Sequence, residues 1–124
     1  MDNKRPVYLD LNPVNMPLTA ITSFLHRTSG IVLFVGSAIL LCLLSCSLDS
    51  QQGFDDTMVL LQGTLAKLVL WGVVSALIYH LVAGVRHLLM DMGIGEDLET
   101  ALLGSKLILA VSAVLIVLAG VWIW

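Results

Sequence analysis

Two histidines, an arginine and an aspartate stand close together at the end of an otherwise apolar stretch, between His80 and Met92. A histidine within a hydrocarbon-rich helix is costly unless its imidazole is bound, so it is a candidate site residue. His80, Gly84 and His87 follow one another at i, i+4 and i+7, which places them on one face of a helix. That face offers a possible metal ligand, a gap beside it and a second polar group two turns along.

The composition predicts that this segment lies in a membrane. Of the 124 residues, 58% are hydrophobic and only 12% are charged, which leaves more apolar surface than so small a domain could bury. Uncharged runs of 21, 18 and 18 residues cover positions 28–48, 68–85 and 107–124, the second counting His80 as neutral. Each run is close to the roughly 20 residues that cross a bilayer core.

The predicted fold is therefore all-α, a single integral membrane domain over residues 1–124. Its transmembrane helices are expected at about 22–48, 65–90 and 105–124. The polar segment Asp49–Asp56 predicts a turn, and the weakly polar run Thr57–Thr64 is compatible with helix. Gly93 and Gly95 are expected to end the second helix. The third has Ser112 as the only polar side chain within its uncharged run, so we expect it to carry no chemistry.

The basic residues orient these helices. Five of the six lysines and arginines precede the first uncharged run or lie between the second and the third, and only Lys67 lies on the other side. This distribution predicts a cytoplasmic N-terminus.

The residues alone leave two roles open for His80. The imidazole could bind haem iron, or it could be hydrogen-bonded to a serine or a backbone carbonyl of a neighbouring helix. An electron-transfer haem usually has a second axial ligand. His87 is too far along the same helix, and His26 is expected to be too shallow to oppose His80. The second ligand is therefore predicted to belong to another polypeptide.

The strongly polar groups gather in the cytoplasmic half. Antiparallel packing predicts that Ser23, His26 and Arg27 lie at the depth of residues 86–91. This asymmetry disfavours a transporter or a channel, whose polar groups must reach both faces. The arginines in these two segments could alternatively extend toward lipid phosphates, and Asp91 could orient the neighbouring histidine or simply cap the helix.

Two segments resemble the cytochrome b556 membrane-anchor subunits of succinate dehydrogenase. Both occur in the family's order, and the matching positions span about two-thirds of the chain. They are Arg5-Pro6-Val7 followed by Ser23-x-x-His26-Arg27-x-Ser29, and His80-x-x-x-Gly84-Val85-Arg86-His87-Leu88-x-Met90-Asp91-x-Gly93.

The resemblance implies a set of binding roles. His80 would be one axial ligand of haem b, with a histidine of a companion anchor subunit on the other face. Ser23 and Arg27 would help to bind ubiquinone near the cytoplasmic surface. His26, Arg27 and His87 would lie near the haem propionates, where donors and positive groups pair with carboxylates.

The resemblance also implies partners and a location. A flavoprotein and an iron–sulfur protein would dock on the cytoplasmic face of a multi-pass protein in the bacterial inner membrane. This chain would be a subunit of an oxidoreductase and would itself carry no flavin, no succinate site and no catalytic residue. No nucleic-acid partner is expected. Cys42 and Cys46 are expected to be small apolar packing residues. Electrons are expected to come from partners, because no iron–sulfur cysteine pattern is present.

Three alternatives remain at this point. The chain could be a purely structural anchor with haem and quinone bound mainly elsewhere, the anchor of a quinol:fumarate reductase, or a b-type cytochrome of another dehydrogenase.

Overall fold

The computed structural model describes residues 18–94 and 97–124, so the Arg5-Pro6-Val7 motif lies outside the described part. The described residues form helices joined by short connections, without strands. The helices are α1 (Leu18–Asp49), α2 (Gln51–Leu61), α3 (Thr64–Asp91) and α4 (Leu98–Ile123). Three of them, α1, α3 and α4, are long and apolar enough to cross a membrane. The predicted all-α membrane architecture with three spanning helices is confirmed.

The connection between the first two long helices is itself helical, so the prediction of a turn over Asp49–Asp56 was wrong. Ser50 is an N-cap whose hydroxyl oxygen accepts the Gly53 amide at 2.9 Å, which starts α2 one residue after α1 ends. Glutamine side chains donate to aspartates one turn further along, at 3.1 and 2.9 Å (Gln51 to Asp55 and Gln52 to Asp56). The polar residues of this segment support a helix because they satisfy one another.

Helix α3 packs against both α1 and α4. Its contact with α1 depends on a small residue, because a Cβ at Gly36 would lie 2.8 Å from a methyl group of Val73. In a membrane the association of helices rests largely on such close packing. Gly36 therefore leaves the space that the Val73 side chain fills.

A small core holds α3 to α4. Tyr79, Ala83 and Ile108 form the buried apolar cluster. Toward the far end, the Trp71 indole donates to the Ile116 carbonyl at 2.9 Å. Most other large apolar side chains are exposed, as befits a surface that faces lipid or other subunits.

Gly93 ends α3, as predicted from the sequence. It adopts a φ of +84°, and the amides of Gly93 and Ile94 donate to the carbonyls of Met90 and Leu89, both at 2.9 Å. This is the left-handed C-terminal cap that glycine makes without a steric penalty.

Candidate functional site

Three histidines from α1 and α3 form one cluster of rings. His26 stacks on His80 with a centroid separation of 4.2 Å and an interplanar angle of 12°. On its other side it meets His87 at 4.9 Å with a tilt of 46°. A Cβ at Gly84 would lie 3.5 Å from His26 Nε2, so the gap noted in the sequence is the place where His26 packs. The structure thus brings the three predicted histidines together.

His26 was expected to be too shallow to oppose His80, and the depth assumed in that argument was wrong. The two residues lie at the same depth because α1 and α3 are in a register that stacks their rings. Nevertheless, His26 is not placed to oppose His80 across an iron. Opposing ligands approach the metal from opposite directions, whereas these rings lie nearly parallel at van der Waals separation.

The Nδ1 atom of His80 is held by α1. It lies 3.0 Å from Ser29 Oγ and 3.2 Å from the carbonyl oxygen of His26. Both kinds of hydrogen-bond partner considered from the sequence, a serine and a backbone carbonyl, are therefore present. They occupy only one of the two ring nitrogens, and the hydrogen bonds of His80 within the described residues involve Nδ1 alone.

This hydrogen-bond arrangement assigns the tautomer of His80. The Ser29 hydroxyl donates to the His26 carbonyl at 2.6 Å, so its hydrogen is already used. A carbonyl oxygen can only accept, and the Ser29 oxygen is left with its lone pairs. With a proton on Nδ1 both contacts are hydrogen bonds, and a neutral ring then has its free lone pair on Nε2.

A second contact fixes the register of α1 against α3. Tyr79 is the residue before His80, and its hydroxyl donates to the Thr22 carbonyl at 2.7 Å. The side chains of Tyr79 and Thr22 are both buried. Sequence reasoning missed Thr22, Tyr79 and the role of Ser29. A signal was present, because Thr22, His26 and Ser29 repeat the i, i+4, i+7 spacing of the histidine face on α3.

Ser23 and Arg27 lie apart from the histidine cluster. Both side chains are exposed on α1, one residue after the buried Thr22 and the partly buried His26 respectively. Because they are four residues apart, they share a helix face that points away from the packed interior. The structure keeps the two together and presents them outward.

Arg86 points into the protein. Its side chain is buried, and Nη2 donates to the Ala101 carbonyl of α4 at 2.9 Å. A Cβ at Gly104 would lie 3.0 Å from Arg86 Nε, so glycine provides the space for the guanidinium. The alternative in which Arg86 extends toward lipid phosphates was wrong. By contrast, Asp91 is exposed at the end of α3.

The third spanning helix also takes part in this polar packing. Ser105 is buried and donates to the same Ala101 carbonyl at 3.0 Å. Ser112, noted in the sequence as its only polar residue within the span, is buried as well, and its hydroxyl has no partner among the described residues.

Comparison with known proteins gives a consistent result along the whole chain. Residues 1–119 match a family model described as succinate dehydrogenase/fumarate reductase transmembrane subunit. The succinate dehydrogenase cytochrome b556 subunit of Coxiella burnetii (strain RSA 493 / Nine Mile phase I) is 42% identical over 125 residues, which cover 100% of both chains. The subunit of the same name from Paracoccus denitrificans is 36% identical over 114 residues, 92% of this chain and 88% of that protein.

Proposed function

This chain belongs to the family of succinate dehydrogenase and fumarate reductase transmembrane subunits, and we propose that it is the haem b-binding anchor of a succinate:ubiquinone oxidoreductase. The observation that carries the proposal is the hydrogen bonding of the two ring nitrogens of His80. Its Nδ1 is engaged by α1 within the membrane-spanning part, and its Nε2 lone pair is left for a ligand. A histidine ligand to a metal almost always donates its other ring N–H in this way.

The residues around His80 fit a haem group. When bound, haem b supplies an iron that accepts and gives up one electron at a time. His80 would hold the iron through Nε2, and Gly30 of α1 leaves room for the ring, since a Cβ there would lie 3.1 Å from His80 Cε1. His26 stacks beside His80 and His87 lies two turns away, which favours a companion anchor subunit as the source of the second axial histidine.

The other two histidines would bind the haem propionates. His26 and His87 adjoin one another, and Arg27 follows His26 on the same helix. Carboxylates form their strongest hydrogen bonds with charged or N–H donors of this kind. Donors gathered on one side of His80 would fix the direction in which a carboxylate-bearing macrocycle lies.

Ser23 and Arg27 would contribute to the ubiquinone pocket. Their exposed hydroxyl and guanidinium lie on one face of α1, in the half of the helix that carries the histidine cluster. Both are donors, and a quinone carbonyl gains negative charge as it is reduced. Donors placed in advance stabilise that charge. The companion and iron–sulfur subunits would complete the pocket and supply the electrons.

The remaining partners follow from the polarity of the molecule. The histidines of the spanning helices, with Arg27 and Arg86, lie at one end of the bundle, and the basic-residue distribution favours the cytoplasmic side for that end. The flavoprotein and iron–sulfur subunits would dock there, on the inner membrane, and would carry the flavin and the succinate site. In this assignment the chain binds haem, lines the quinone pocket and anchors the enzyme.

The test is substitution of His80 in the assembled complex. His80→Ala should abolish the low-spin b-type absorption spectrum or convert it to a high-spin one. His87→Ala should retain a low-spin haem, with at most a shifted midpoint potential, because it would act only through the propionates. A purely structural anchor predicts that His80→Ala leaves the haem spectrum intact. Haem loss in His87→Ala with retention in His80→Ala would invert the ligand assignment.

A further inference from the structure

We propose that Ser29 is the positioning residue of the haem ligand. Its hydroxyl oxygen accepts the Nδ1–H of His80, and together with the His26 carbonyl it fixes the tautomer and the plane of the imidazole. This inference rests on the proposed function of His80 as an axial ligand.

Ser29 is itself held in one orientation. It is buried, with 7% of its surface exposed, and its hydroxyl donates to the His26 carbonyl at 2.6 Å. That bond directs the oxygen lone pairs toward His80 Nδ1, 3.0 Å away. In a bilayer little water competes for such a bond, so a buried hydroxyl is an effective fixed acceptor.

Two further contacts limit the ring on its other sides. The backbone at Gly30 lies against the Cε1 edge of His80, and the His26 ring covers one face at 4.2 Å. The Nδ1 edge, the Cε1 edge and one face are thus all set by α1. Residues 26, 29 and 30 form one turn of helix that orients the imidazole and leaves Nε2 free.

A hydrogen bond at Nδ1–H alters the chemistry at Nε2. Partial withdrawal of the proton makes the imidazole a stronger electron donor, which stabilises the ferric iron over the ferrous. Loss of the Ser29 acceptor should therefore raise the haem midpoint potential. Outer-shell partners of this type typically change metal affinity about 10- to 100-fold. Because the His26 carbonyl remains as a second acceptor, we expect Ser29→Ala to weaken haem retention about tenfold, at the lower end of that range.

The matched control is Ser47→Ala. Ser47 lies on the same helix and makes the same kind of bond, from its hydroxyl to the carbonyl three residues earlier, Leu44, at 2.8 Å. It is remote from the histidines. If loss of a serine that bonds to the third preceding carbonyl alters helix α1 itself, the alteration should appear in both variants. An effect on the His80 ligand should appear only in Ser29→Ala.

Ser29→Thr should restore the haem content and midpoint potential of the wild-type complex. A threonine in α1 makes the required bond to the third preceding carbonyl, as Thr22 does to Thr19 at 2.8 Å. Its oxygen can then accept from His80 as serine does. If Ser29→Ala assembles without haem, Ser29→Cys takes its place. Its sulfur is a weaker acceptor, so the haem midpoint potential should also rise.

The experiment compares these variants as purified four-subunit complexes, by haem content, redox titration and the low-temperature electron paramagnetic resonance signal of the ferric haem. The expected result is a higher midpoint potential, faster haem loss and an altered resonance in Ser29→Ala, wild-type behaviour in Ser47→Ala and recovery in Ser29→Thr. If Ser29→Ala and Ser47→Ala had the same haem content, midpoint potential and resonance signal while His80→Ala removed the haem, only the role of Ser29 would be overturned. Retention of the haem in His80→Ala would overturn the ligand assignment and with it this inference.

Discussion

At the scale of single residues, each histidine of the stacked pair lies against a glycine of the opposite helix. His26 of α1 occupies the space beside Gly84 of α3, and His80 of α3 lies against Gly30 of α1. The rings stack at 4.2 Å between the packed helices. A Cβ at Gly30 would press on His80 at 3.1 Å, whereas one at Gly84 would make ordinary contact with His26 at 3.5 Å. Gly30 is therefore part of the site, although it supplies no functional group.

Gly30→Ala tests this role of glycine. The added Cβ would lie 3.1 Å from His80 Cε1, closer than ordinary contact, so the ring must move by a few tenths of an ångström. We expect a changed ferric resonance signal and a shifted midpoint potential in a complex that still assembles. Gly72→Ala is the control, because no atom lies within 4 Å of that Cβ. Identical haem properties in the two variants would contradict the close fit.

The quinone assignment also belongs to single residues. We expect Ser23→Ala and Arg27→Leu each to slow succinate-dependent ubiquinone reduction, since each removes a donor to the quinone oxygens. Losing one such bond costs on the order of tenfold to a thousandfold in rate. Arg27→Leu should be the more damaging, because it would also remove the proposed propionate contact.

Two measurements separate these effects. Succinate oxidation with an artificial acceptor that bypasses quinone should survive in both variants, and haem content is determined in parallel. Lys67→Leu removes a positive charge near the N-terminal end of α3, far along that helix from the histidines, and should leave quinone turnover unchanged. Normal turnover with intact haem in Ser23→Ala and Arg27→Leu would assign the pocket to the other subunits.

At the scale of the helices, the sequence predicted which segments span the membrane but not how they pair. The lengths of uncharged runs follow from bilayer thickness alone, so the three long helices were predictable. The register of α1 against α3 was not, because it depends on pair contacts such as Tyr79 with Thr22 and Gly36 with Val73. That is why His26 was expected at the wrong depth. The first half of helix α2 was missed because its stability comes from the Ser50 cap and its own side-chain pairs.

The Gly36 contact allows the register to be tested. In Gly36→Ala the new Cβ would lie 2.8 and 2.9 Å from the two methyl groups of Val73, which a β-branched side chain cannot easily relieve. Overpacking of this kind costs about 1–3 kcal/mol. We expect the complex to lose its haem absorbance at a lower temperature on heating.

The double variant supplies the control. Val73→Ala removes the clashing methyl groups, so Gly36→Ala with Val73→Ala should be more stable than the sum of the two single effects predicts. Such a coupling is measurable because the two residues are in direct contact. Simple additivity would show that Gly36 and Val73 do not meet in the assembled protein, and the register of α1 on α3 would have to be revised.

At the scale of the whole molecule, the histidines and the buried charge of the spanning helices lie at one end, opposite α2. The histidine cluster, Arg27 and the buried Arg86 lie where α1 begins and α3 ends, and Arg86 links α3 to the start of α4. At the other end the Trp71 and Trp124 rings meet edge to face at 6.0 Å, with the carbonyl of Ile116 accepting the Trp71 indole. Tryptophans of this kind settle at a membrane interface. The asymmetry is suited to electron and proton chemistry on one side of the membrane.

The orientation of the whole molecule is the last prediction. The distribution of lysine and arginine favours a cytoplasmic N-terminus, which places Asp97 inside and both α2 and Trp124 outside. Reporter fusions at Gln52 and after Trp124 should therefore report the outer side, and a fusion at Asp97 the cytoplasm. Gln52 lies in α2, which links α1 to α3 at the end opposite the histidines. The side of the membrane on which Gln52 lies therefore determines the side on which the histidines lie. If the fusion after Trp124 reported the cytoplasm, the histidine cluster and Arg27 would face the outer side. A cytoplasmic flavoprotein and iron–sulfur protein could not then dock beside them, and the proposed route of electrons to the quinone would have to be abandoned.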